Sequence, residues 1–247
     1  MNNNEKLMAW LNTKVVLGLC IIIAASIGAY VFYQARGFEN SLSVTGSATK
    51  NVTSDHVKWV GVITRTTKVP TLKTGYAALA SDLTIVQEFL KSNGITDAEI
   101  DISPVTMEPD WDLNQQNVSA NDKSYNLKQT IEINSVNVDA ITNLSKHTSP
   151  LIDKGVVFST QSLEYTYTKL ADERIALLKD AMADAKARAS MLAESTGKKV
   201  GQLKSASSGV VQVLSENSLN VSDYGSYDTS KVNKTIMITV KAAFTLK

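Results

Sequence analysis

The run Ile236-Met237-Ile238-Thr239-Val240-Lys241-Ala242-Ala243-Phe244-Thr245-Leu246 places an apolar side chain at every even position. Alternation at period two marks a strand with one buried face, so this run belongs to a folded core. Before it, Ser215 to Ser230 is rich in Ser, Asn, Asp, Tyr and Gly and reads as a long loop, and Val200 to Leu214 reads as another strand. Further back lies a long helix from about Lys169 to Thr196. Ala171, Ile175, Leu178, Met182, Ala185, Ala189 and Leu192 recur in it at alternating spacings of four and three. Its alanine content predicts a close approach to whatever it covers. Asp172 and Glu173 near its start, and Lys198 and Lys199 beyond Gly197, suit the helix dipole.

A parallel series occupies the first half. Val57 to Thr67 carries apolar residues on both faces, as a central strand does. Pro70-Thr71 then opens a helix with the stripe Leu72, Tyr76, Leu79, Leu83, Val86 and Leu90, Thr71 serving as N-cap and Asn93-Gly94 as the stop. Ile95 to Met107 reads as one strand, and 109 to 123 as a polar loop. Tyr125 to Ile133 reads as a strand with a bulge near Asn134, where Val136 and Val138 change parity. A short helix over Asp139 to Lys146, a turn from Ser149-Pro150 to Gly155 and a strand from Val156 to Tyr167 complete the middle of the chain. Strand, long helix, strand, polar loop, strand thus occurs over about 57 to 138 and again over 156 to 246. The predicted fold class is α+β, two strand-helix-strand-strand units with mainly antiparallel sheet.

Ahead of this domain, Val15 to Tyr33 contains no charged residue and no Asn, Gln or Pro. As a helix it would measure about 28 Å, close to the roughly 30 Å hydrocarbon core of a bilayer. The layout predicted is a cytoplasmic tail over 1 to 14, one N-terminal transmembrane helix over 15 to 35, and a domain over 41 to 247. Val15, Ile21, Ile22, Ile23, Ala24, Gly28, Val31, Phe32 and Tyr33 are the anchor residues, with Tyr30 and Tyr33 suited to the interface. Lys6 and Lys14 favour a cytoplasmic tail. The competing reading is a secretory signal cleaved near Ala24-Ala25-Ser26. Ile27 to Tyr33 stays apolar past that point and favours the uncleaved signal-anchor; both readings deliver the domain across the membrane. Ala24 with Gly28, and Ala25 with Ala29, form small-xxx-small pairs that permit close helix contacts.

Composition gives little chemistry. The chain has 25 basic and 24 acidic residues, so charge provides no argument for nucleic acid. Its single cysteine, Cys20, lies in the apolar run, which leaves the domain without an intrachain disulfide. Two separated histidines, His56 and His147, do not make a zinc centre or a hydrolase base pattern. Glu108, Asp110 and Asp112 lack the glycine and later glutamate of a calcium loop. Gly197-Lys198-Lys199-Val200-Gly201 follows a helix instead of opening one, so it is no phosphate loop. No catalytic residue, cofactor or metal is expected. An enzyme would need acids such as Asp55, Asp101 or Asp153 to converge.

Three stretches resemble the SIMPL domain family of bacterial envelope proteins. They are Leu42-Ser43-Val44-Thr45-Gly46-Ser47-Ala48, Leu151-Ile152-Asp153-Lys154-Gly155-Val156-Val157-Phe158, and Ala181-Met182-Ala183-Asp184-Ala185-Lys186-Ala187-Arg188-Ala189 continuing to Ala193, Gly197 and Gly201. The order of elements matches over nearly all of Ser41 to Lys247. The sequence departs at Thr53-Ser54-Asp55, where a Pro-Asp pair is usual, and at Pro150, which interrupts a helix. The resemblance implies an α+β fold, a periplasmic or cell-surface domain, a homo-oligomer, and no catalytic residues to carry over. With the anchor, it gives a single-pass protein of the inner (cytoplasmic) membrane whose domain faces the periplasm or exterior. The expected function is non-catalytic, the domain assembling into a scaffold or ring. The alternative is a module binding a small molecule or peptide through loops 109 to 123 and 215 to 230, with Asp110, Trp111, Asp112, Tyr224 and Tyr227 as contact residues.

Overall fold

A computed structural model describes residues 3–37, 40–110, 119, 122–218 and 220–247, with the helix backbone alone at 3–14 and 34–37. In chain order the elements are α1 (Asn3–Gly37), β1 (Ser41–Thr53), β2 (His56–Lys68), α2 (Leu72–Ser92), β3 (Ile100–Ile102), β4 (Thr106–Pro109), β5 (Ser124–Ser135), α3 (Val138–Leu144), α4 (Ser149–Asp153), β6 (Phe158–Thr166), α5 (Leu170–Glu194), β7 (Val200–Ser208), β8 (Gln212–Ser215), β9 (Ser226–Tyr227) and β10 (Asn233–Leu246). This is a mixed α+β fold with two five-stranded sheets. One runs β1-β10-β8-β9, with β7 also on β10; the other runs β3-β5-β2-β6, with β4 also on β5. Strand β10 pairs antiparallel with β7 and β8, β2 with β5 and β6, and β5 with β3 and β4, while β8 and β9 are parallel.

Both strand-helix-strand-strand runs are present in order, as β2-α2-β3/β4-β5 and β6-α5-β7/β8-β10. Their strands are interleaved, however: β6 joins the sheet of β2, and β1 pairs with β10. The chain accordingly divides into two discontinuous compact units. The first is Met1–Ser47, Leu178–Gly209 and Thr239–Lys247; the second is Ala48–Leu177 and Val210–Ile238.

In the second unit, β2 lies between β5 and β6 in long register, from Val57 opposite Ser135 to Lys68 opposite Ser124. The odd-numbered side chains of β2 enter the core, where Val57, Trp59 and Ile63 are fully buried. Gly61 shares that face because Phe158 fills its place: a Cβ there would lie 2.1 Å from the ring, and the ring packs edge-on against Trp59 at 5.7 Å. Leu79, Val86 and Leu90 of α2 close the core with Leu127, Ile131 and Ile133 of β5 and with Ile141 and Leu151.

The buried face of α2 is rotated from the expected one: Gly75 and Asp82 are buried, while Tyr76 is exposed. Gly75 is close enough to β2 that a Cβ would meet Thr67 at 2.8 Å, which leaves no room for a larger residue. Asp82 is inside because it forms a two-pronged pair with Arg65 of β2, which also donates to the Gly155 carbonyl. Thr71 makes no side-chain cap on α2; its hydroxyl bonds back toward Lys68 and Thr67. The strand expected over Ile95 to Met107 is broken into a 3-10 turn, β3 and β4. Pro104 has no N–H to give a ladder, and Ser103 satisfies Thr130 and Gln129 instead. The bulge expected near Asn134 is absent: β5 keeps register to Ser135, Val136 is exposed, and Val138 begins α3 behind an Asn137 cap. Pro150 sits in the first turn of α4, where its missing N–H is harmless.

In the first unit, α5 meets the sheet through small residues. Ala181, Ala185, Ala189 and Ala193 are buried, with Val44, Ala242 and Phe244 as the apolar cluster. A Cβ on Gly46 of β1 would lie 2.2 Å from the Ala181 carbonyl and 2.3 Å from the Ala185 nitrogen, so helix and strand backbones are in near contact. The predicted close approach holds, but the stripe differs. An unbroken i, i+4 row of alanines faces the sheet, and Ile175 and Leu192 are exposed, because the closest approach selects the smallest side chains. The strand expected over Val200 to Leu214 divides at Gly209, whose N–H donates to Thr239 and whose Cβ position is taken by the Thr239 hydroxyl. As expected, the terminal run is a buried strand, its even-numbered residues from Lys234 to Phe244 inside.

Candidate functional site

Helix α1 contains Val15–Tyr33, a segment of mean hydropathy 2.6 with none of it buried, long and apolar enough to cross a membrane. Ile21, Ile22, Ile23, Val31, Phe32 and Tyr33 are all exposed, as are Ala24 and Gly28, and a Cβ on Gly28 would meet nothing within 4 Å. An apolar helical surface without protein cover is what a lipid-facing segment requires. The single Ser26 hydroxyl is satisfied by the Ile22 carbonyl one turn back.

Of the interaction-loop residues, Tyr224 and Tyr227 lie in one polar loop but do different things. Tyr224 is 97% exposed. Tyr227 is half-exposed and tied down: its hydroxyl accepts from the Tyr167 N–H, and its ring lies over the Lys234 ammonium at 5.7 Å. The loop is held from beneath by buried polar groups. Gln212 binds Ser222 through both ends of its side-chain amide. Lys234, only 1% exposed, donates from Nζ to the Asp228 and Lys231 carbonyls. Burial pushes the Lys234 amine down from its ordinary value. Asp228 receives the Ser230 hydroxyl and N–H and is further favoured by Ser215 and Lys234, which hold its carboxyl down at about 2. Gly225, at φ 89°, makes the turn that brings the chain back to β9 beside β8.

Gln212 and Lys234 do not stand out as functional in the sequence alone. Lys234 is legible in hindsight, because it falls on the same parity as Ile236, Ile238 and Val240. Asp82 gives the same kind of signal, at helical spacing between Leu79 and Val86.

Asp110 closes the other polar loop, its N–H donating to Ser124. Trp111 and Asp112 lie outside the described residues. The acids Asp55, Asp101 and Asp153 have different settings: Asp55, between β1 and β2, accepts from the Thr168 N–H and hydroxyl, Asp101 of β3 lies opposite Glu132, and Asp153 ends α4. Among the described residues no group of three or more His, Cys, Asp or Glu gathers to hold a metal.

A groove of about 780 Å³ opens in the second unit between the C-terminal turns of α2 and the α3–α4 segment. Phe89, Leu144 and Pro150 give it apolar surface, and Glu88, His147 and Lys154 give it polar surface. His147 Nδ1 lies 2.8 Å from the Asn143 carbonyl. A carbonyl only accepts, so Nδ1 carries the proton and Nε2 of the neutral ring is an acceptor.

The sheet margins also differ. In β1 the Ser47 N–H is taken by the Asp184 carboxylate of α5, and in β6 the Tyr165 N–H is taken by the Thr229 carbonyl. Strand β7 pairs with β10 on one side, and among the described residues no strand pairs on its other side; Gln202 through Ser208 are exposed.

The family model for SIMPL, described as a protein of unknown function (DUF541), matches residues 42–244. The chain belongs to the SIMPL family. The matched span runs from within β1 to within β10 and takes in α2 to α5, and the apolar helix α1 lies ahead of it. A comparison with curated proteins returns no match.

Proposed function

We propose that this chain is a non-catalytic envelope protein, anchored by Val15 to Tyr33 in the cytoplasmic membrane, whose SIMPL domain homo-oligomerises on the far side into a scaffold or ring-like assembly. The observation that carries the reading is the outer edge of β7. An exposed strand edge is a template for pairing with another chain, and folded proteins generally block such edges. One N–H of β1 (Ser47) and one of β6 (Tyr165) are taken up within the fold, while among the described residues no strand pairs with the outer side of β7. The polar loop over 215 to 230 adds a rigidly mounted exposed tyrosine, the kind of anchor that interfaces favour. With one membrane helix per copy, assembly would also gather the anchors.

Cryo-EM of the protein purified in detergent from membranes tests this. Symmetric multi-copy particles are expected, and a population of single copies only would overturn the reading. The alternative, a ligand- or peptide-binding module, draws on the same polar loop. Replacing 218 to 228 by a short Gly/Ser link should then abolish ligand pull-down while assembly persists.

A further inference from the structure

We propose that Tyr224 of one copy docks in the groove between α2 and the α3–α4 segment of the next copy, giving a head-to-tail contact. This rests on the assembly reading above and names surfaces for it.

Three observations converge. The first is preorganisation. Tyr224 is almost wholly exposed, yet its loop is fixed by the Gln212–Ser222 pair, by the Tyr224 N–H bonding to the Ser222 hydroxyl at 3.3 Å, and by the Gly225 turn. A large aromatic on a fixed loop loses little freedom on binding, which is why such residues dominate recognition loops. The second is chemical fit. The groove offers Phe89, Leu144 and Pro150 for the ring, and at about 780 Å³ it has room for a tyrosine with its neighbours. The proton on His147 Nδ1 leaves Nε2 to accept the tyrosine hydroxyl. The third is charge. Asp223 precedes Tyr224 and is exposed, and Lys154 stands on the groove rim with Glu88 as the other charge. Ring burial with Asp223 turned to Lys154 satisfies both groups.

The loop contributes no lining residue to the groove, so the two surfaces are distinct. A contact between unlike surfaces leaves a free knob on one copy and a free groove on the other. Repetition closes into a ring if the rotation per copy allows it, and otherwise runs on as a filament.

The experiment is mass photometry of the whole protein in detergent across a dilution series, with circular dichroism as the folding control. Tyr224→Ala should raise the concentration of half-assembly at least about tenfold, and Tyr224→Phe should raise it less. Asp223→Lys and Lys154→Asp should each weaken assembly, and the two together should recover it. Wild-type-like assembly of Tyr224→Ala would overturn this contact and leave the assembly reading standing. Failure of the double exchange to exceed either single one would overturn the pairing of this loop with this groove. Single copies of the wild type at every concentration would overturn both proposals. A small molecule or peptide lost from Lys154→Asp at unchanged particle mass would assign the groove to that ligand and overturn the docking.

Discussion

The two units bury their helices by opposite means. In the unit of α2, large side chains fill the space between helix and sheet, with Trp59, Ile63, Leu79 and Leu90 buried, and Arg65 of β2 pairs with the buried Asp82 of α2. In the unit holding most of α5, alanines and Gly46 bring backbone almost onto backbone. The first arrangement removes more apolar area per residue and is sensitive to cavities. The second gains from close dispersion contact and is sensitive to added atoms. Truncation should therefore injure one unit and enlargement the other.

The largest effect is expected at Trp59→Ala, which removes the ring that Phe158 packs against; a loss of about 3–5 kcal/mol should appear in urea unfolding. Gly46→Ala adds one carbon where none fits and should cost about 1–3 kcal/mol, while truncating nearby Ala189 to Gly should cost about 1–2 kcal/mol, from helix propensity and one buried methyl. A neutral Gly46→Ala would break the contrast between the units. Asp82→Ala leaves Arg65 without its partner inside the α2 unit. Because the Arg65 side chain is about a third exposed, water can take it up, and the loss should fall below the range for a fully buried pair, at about 1–2 kcal/mol. Thermal unfolding of Asp82→Ala beside Arg65→Met with Asp82→Leu would measure how much of that is stranded charge.

The smallest effect concerns pH. The Asp228 carboxyl is held at about 2, against 3.8 when free. A lowered folded value means that its contribution is complete above about pH 4 and disappears as pH falls toward 2. Asp228→Asn should therefore flatten stability across that window, by up to about 1 kcal/mol once water's screening of this partly exposed carboxyl is allowed for. An unchanged slope would show that the loop over 228 to 231 is held by Lys234 alone.

Much of this was legible in the sequence. Period-two runs gave β5 and β10, apolar residues on both faces gave β2, and helical spacing gave α2 and α5 nearly to their ends. What escaped was set by specific polar partners that periodicity does not report. Asp82 is inside only because Arg65 meets it, and Lys234 only because the loop carbonyls of Asp228 and Lys231 reach its ammonium. The breaks at Pro104 and Gly209 follow from local chemistry, a missing donor and a missing Cβ, yet each lies within an apolar run that reads as continuous. The interleaving of β1 and β6 left no mark on periodicity at all. For the site, the anchor helix and Tyr224 stand out in the sequence, while Gln212 and the groove around Phe89 depend on tertiary packing.

Native mass spectrometry of the protein extracted from membranes tests the central claim most directly, because one spectrum reports both subunit mass and copy number. The account predicts particles at an integer multiple, above one, of the uncleaved chain. Particles of one chain, or subunits shortened at Ala24 to Ser26, would contradict it.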